Sequence, residues 1–90
     1  MIPAKIIKIS DKVVVEYERT IIFSWLAKDR IKKKYIAEVE NVEFVNDILN
    51  IMLNYFIIKF SNGNYFEPLK LNQQVFIEPT ENGKCVIIKI

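Results

Sequence analysis

Histidine is absent from the 90 residues. That removes the commonest general base, proton shuttle and metal ligand together. Cysteine occurs once, as Cys85, so no intrachain disulfide forms, and neither a zinc site nor a Cys–His nucleophile can be assembled within one chain. Cys85 stands in an apolar run, where a small core residue is the expected role. Glycine is nearly as scarce. Gly63 and Gly83 stand alone in turn contexts, which excludes a glycine-rich phosphate loop. Long apolar runs are missing too: the stretch from Ile48 to Ile58 is interrupted by Asn50 and Asn54 and is too short to span a bilayer. Met1 to Ala4 lead directly into a lysine-bearing alternating stretch and not a leader-type run, so a cytoplasmic location without membrane contact is expected. Finally, there is no excess of one charge. Thirteen basic and 11 acidic residues leave a net charge of +2, so any basic site must come from local clustering.

What is present is apolar bulk. Half of the residues (51%) are hydrophobic, with six Phe, four Tyr and one Trp. A chain this short needs such a fraction, because it buries only about 60–65% of its unfolded surface. One domain over residues 1–90 is expected.

The hydrophobic period is mostly two. Ala4 to Ile9 and Lys12 to Glu18 are β-branched runs separated by Ser10 and Asp11, a hairpin signal. With those two residues as the turn, Lys5 faces Glu16, Ile6 faces Val15 and Ile7 faces Val14. Thr20 to Leu26 reads as a third strand, Lys28 to Lys34 as a charged connector, and Tyr35 to Phe44 as a fourth strand. In that strand Tyr35, Ala37 and Val39 alternate with Ile36, Glu38 and Glu40, giving one apolar and one mostly acidic face. Asn46, Asn50 and Asn54 then recur every four residues, which predicts a helix over about 46–56 capped by Asn46. Asn62-Gly63 is the preferred type I′ turn pair between Ile57–Ser61 and Asn64–Glu67. Gln74 to Glu78 is a strand, and Asn82-Gly83 turns the chain into a last strand, Lys84 to Ile90.

These elements predict an α+β, mostly β fold. It is a small antiparallel curled sheet or partly closed barrel, OB-like or SH3-like in element order, with one helix.

The absences leave no catalytic set, metal site or cofactor to expect. The carboxylate pairs Glu16/Glu18 and Glu38/Glu40 read as solvated strand faces. Binding therefore remains, and two surfaces stand out. Lys28, Arg30, Lys32, Lys33 and Lys34 are five basic residues in seven positions, flanked by Trp25 and Tyr35. Cations for phosphates beside aromatic rings for stacking suit single-stranded nucleic acid. The second surface is apolar: Ile48, Ile51 and Tyr55 of the expected helix, with Val86 and Ile88 of the last strand. It suits a protein partner or a homo-oligomer, as in an assembly module or a phage- or plasmid-type inhibitor. The aromatic group Phe60, Tyr65 and Phe66 is a further candidate stacking face.

Overall fold

The computed structural model describes residues 1–24, 29–45 and 55–89, excepting the side chains of residues 22–24, 29, 30 and 55. Among the described residues eight strands follow in order: β1 (Ile2–Ile9), β2 (Val13–Ser24), β3 (Asp29–Val39), β4 (Val42–Val45), β5 (Tyr55–Phe60), β6 (Gly63–Pro68), β7 (Gln74–Pro79) and β8 (Lys84–Ile88). Five close into a barrel of order β1-β2-β3-β8-β7, and β4-β5-β6 form a second, three-stranded sheet. All pairings are antiparallel except β3 with β8, where Glu38 lies opposite Lys84 and Val39 opposite Cys85.

No helix occurs among the described residues. The expected helix over 46–56 lies outside them for 46–54, and its last two residues are strand. Tyr55 and Phe56 open β5, opposite Val45 and Phe44. The reason is period: Phe56 continues backward the alternation of Ile58 and Phe60, and all three turn to the core.

The β1–β2 hairpin keeps the expected pairs Lys5↔Glu16 and Ile6↔Val15 and then departs from strict register. Ile7 slips into a bulge, so Lys8 faces Val14 and Ile9 faces Val13 across a three-residue turn, Ser10 to Lys12. Strict alternation would have set Lys8 against the fully buried Val13. The bulge brings Ile9 there instead and turns Lys8 outward, avoiding burial of a charge.

The greater departure is in β2 and β3. No Gly, Pro or Asn interrupts Val13 to Ser24, so the two expected strands there are one. Asp29 to Lys34 of the expected charged connector are themselves strand, the first half of β3. Register runs from Val14↔Glu38 to Ser24↔Asp29. β1 leaves β2 at Glu16 and β8 leaves β3 at Glu38, so the rest projects as a two-stranded arm. It makes the molecule long, 59 × 26 × 22 Å.

One core serves both sheets. Ile6, Val13, Val15, Ala37, Val39, Ile77, Cys85 and Ile87 from the barrel pack in one cluster with Phe56 and Ile58 of β5 and with Leu69. Asn41, between β3 and β4, joins the sheets by hydrogen bonds. Its Oδ1 accepts the Ile87 N–H at 2.8 Å, and its Nδ2 donates to the carbonyls of Ile87 at 2.8 Å and Lys59 at 3.1 Å. Its own carbonyl accepts the Lys59 N–H at 2.8 Å. The side-chain amide thus stands in for the backbone where β3 stops pairing with β8.

Candidate functional site

Strand alternation divides the basic run. Lys33 shares a face with Ile31 and Tyr35, the face that continues inward as Ala37 and Val39. Lys32 and Lys34 lie on the opposite face, with Ile36 and Glu38. Arg30 lies in β3 opposite Ile22, and Trp25 and Lys28 lie outside the described residues. The run is not one patch.

On the outer face one of the two cations meets a carboxylate. Lys34 lies opposite Glu18 and its Nζ is 3.7 Å from a carboxylate oxygen of Glu16, while Lys32 lies opposite Thr20. The Lys34 charge is balanced locally, and an exposed pair of this kind contributes little to stability.

The inner face of the arm is different. Tyr17 lies directly opposite Tyr35, and the rings stack with centroids 5.5 Å apart and planes 20° apart. Directly opposite side chains on one face of a sheet are close enough for such contact. One pair further out, Arg19 lies opposite Lys33. The Arg19 guanidinium is 6.0 Å from the Tyr17 ring and the Lys33 ammonium 5.5 Å from the Tyr35 ring. Ile21 and Ile31 follow as the next pair. Arg19 and Lys33 are exposed, the tyrosines half-buried, and no carboxylate is among the described side chains from Tyr17 to Ile21 and Ile31 to Tyr35 on this face. Two cations over two stacked rings form a positively charged aromatic strip.

Lys33 and Tyr35 were read from the sequence. Tyr17 and Arg19 were missed, because they belong to the other strand. The signal was the run from Val13 to Ser24, rich in β-branched and aromatic residues and without Gly, Pro or Asn, which the antiparallel pairing of β2 with β3 lays against the basic segment.

The second candidate surface is arranged otherwise than expected. Ile48 and Ile51 lie outside the described residues, and Tyr55 pairs with Val45 and Pro68 within the second sheet. Val86 and Ile88 are half-buried in a strand that is not an edge. β8 pairs with β7 along Cys85 to Ile88 and on its other side with β3 and Asn41. Barrel closure, not sequence composition, protects it.

The aromatic group on the second hairpin is also split. The turn residues are Ser61 and Asn62, so Phe60 lies opposite Gly63 and Ile58 opposite Tyr65. Phe60 and Tyr65 meet edge to face at 5.4 Å, and the Lys89 ammonium lies 3.7 Å from the Tyr65 ring. Phe66 is on the other face and 67% exposed.

Among the described residues no cluster of three or more His, Cys, Asp or Glu could hold a metal ion. Nor is any helix long and apolar enough to cross a membrane. Cys85 is fully buried. Burial, with a smaller contribution from the charge of Glu40, pushes its thiol up to about 11, the protonated and unreactive form at neutral pH. No protein-family model matches the chain, and neither the curated proteins nor the solved structures contain a significant match to it.

Proposed function

We propose that this chain is a non-catalytic module of OB type that binds single-stranded nucleic acid along the inner face of the β2–β3 arm. The observation that carries the reading is the stacked Tyr17/Tyr35 pair with Arg19 and Lys33 over its rings. Exposed cations meet phosphates, and tyrosine rings offer stacking surface to bases irrespective of sequence. The barrel order β1-β2-β3-β8-β7 with one parallel contact, β3 to β8, favours the OB arrangement over an SH3-like one. In OB barrels the second and third strands are the usual oligonucleotide face. The alternative, a protein-interaction or assembly module, has less to rest on, since β8 is closed into the barrel.

The test is fluorescence anisotropy with a labelled single-stranded oligonucleotide at about 50 and about 200 mM salt. Binding weakens steeply with salt. Reversal of both inner cations, Arg19→Glu with Lys33→Glu, removes two phosphate contacts and lowers the log–log salt slope by about 1.4. Reversal of Lys32 and Lys34, on the outer face that carries Glu16 and Glu18, costs less. If the outer-face variant loses more affinity than the inner-face variant, the assignment of the face is wrong.

A further inference from the structure

Where β2 departs from the barrel it opens a cleft. The β1–β2 ladder ends at Lys5↔Glu16, yet β1 stays paired with β7 as far as Ile2, and β2 stays paired with β3 as far as Ser24. The space between Pro3–Lys5 and Glu16–Thr20 is an open groove of about 570 Å³ that also reaches Lys32, Asn72 and Gln74. That volume lies within the roughly 300–1,000 Å³ of small-ligand sites. Tyr17 also borders it, at a point of β2 from which its ring turns to the opposite, inner face and stacks on Tyr35. The groove and the aromatic strip therefore lie on the two faces of one strand.

The two surfaces differ in chemistry. The strip is cationic, whereas the groove holds Glu16 and Glu18 beside Lys5 and Lys32. Glu16 is within 3.7 Å of the Lys34 ammonium, and Glu18 makes no ion pair among the described residues. A carboxylate repels phosphate but accepts a hydrogen bond from an amine. Asn72 and Gln74 add amides, each both donor and acceptor. Asn72 is in the left-handed region (φ 67°). Its N–H bonds the Ile6 carbonyl at 2.8 Å, and the Ile6 N–H bonds the Gln73 carbonyl at 3.0 Å, which fixes this turn against β1 at the groove's rim.

Resting on the nucleic-acid reading above, we infer that this groove is a base-reading subsite for a nucleobase bearing an exocyclic amine. Pro3 borders it, and Glu18, Asn72 and Gln74 meet the base edge. Adenine and cytosine present an amine to Glu18. Thymine and uracil present a carbonyl at the same position, which leaves the carboxylate facing a second acceptor.

The experiment compares homopolymers of deoxycytidine, deoxyadenosine and thymidine, binding to the full chain at one salt concentration. The amine-bearing polymers bind about tenfold more tightly than the thymidine polymer. Glu18→Ala brings the three within about twofold by strengthening thymidine binding relative to the others. Asn72→Gly with Gln74→Ala narrows the preference while keeping the positive φ that glycine tolerates. Far-UV circular dichroism checks that these exposed substitutions leave the fold intact. Equal binding of all three polymers to the wild-type chain overturns the subsite and leaves the arm's role standing. So does a preference that survives both sets of substitutions. Absence of binding to any polymer overturns both.

Discussion

Asn41 shows how much one side chain can carry. Its amide replaces a missing strand residue for Ile87 and ties Lys59 to the same point, so it closes the barrel seam and anchors the second sheet together. Asn41→Ala leaves the part-buried N–H and C=O of Ile87 without those partners, and a loss of about 2–3 kcal/mol is expected in urea unfolding. Asn41→Asp keeps the acceptor for Ile87 N–H but loses both donations. Cys85 acts through solvation. Its thiol has a higher pKa in the fold, about 11, than the ordinary value of 9.0. The neutral thiol's contribution is therefore complete below about pH 9 and is lost as pH rises toward 11, because only the unfolded chain ionises readily there. Wild type loses more stability than Cys85→Ala between those limits, as read by urea midpoints at matched pH. Equal losses would mean that the thiol is not the titrating group.

Among the elements, the two Asn-Gly pairs make an instructive contrast. Asn82 (φ 58°) and Gly83 (φ 70°) both adopt positive φ, and the Lys84 N–H returns to the Glu81 carbonyl at 3.2 Å, the type I′ geometry the pair favours. Asn62-Gly63 fails to do so. There the turn moves back to Ser61 and Asn62, and Gly63 becomes the first residue of β6 at φ 144°. Facing residues decide between the registers: the observed one sets Tyr65 opposite the buried Ile58 and beside Phe60. Gly83→Ala strains the left-handed position without any steric contact within 4 Å, so a loss of about 1 kcal/mol or slightly more is expected by thermal unfolding. The arm is the other informative element. A two-stranded ribbon is marginal alone, and this one is held at its base by the tyrosine stack, with Tyr17 packed against the core.

At the scale of the whole molecule, the radius of gyration is 15.5 Å, against about 12 Å for a compact chain of this length. The excess reflects the arm and the second sheet at the barrel's flank. Phe56 is the largest fully buried side chain among the described residues and belongs to the second sheet, yet it shares its cluster with barrel residues. Phe56→Ala therefore weakens both sheets, by about 3–4 kcal/mol. Near- and far-ultraviolet circular dichroism should still report one coincident transition. Two separated transitions would show that the sheets unfold independently.

Several features are decided locally and are legible in the residues themselves. The alternation in Tyr35 to Val39, the Lys5↔Glu16 pairing, the Asn82-Gly83 turn and the buried role of Cys85 each follow from side-chain period or turn chemistry within a few residues. The scarcity of histidine, cysteine and glycine likewise narrows the chemistry before any folding. Other features depend on contacts between distant segments. The bulge at Ile7 answers to the burial of Val13, and closure of β8 depends on β3 and Asn41, more than 40 positions away in sequence. The candidate site belongs to this second group. Lys33 and Tyr35 were visible as part of a basic run, but that run is divided by the pleat. Tyr17 and Arg19 join it only through a long antiparallel register, which no local pattern specifies and the pairing of β2 with β3 alone determines.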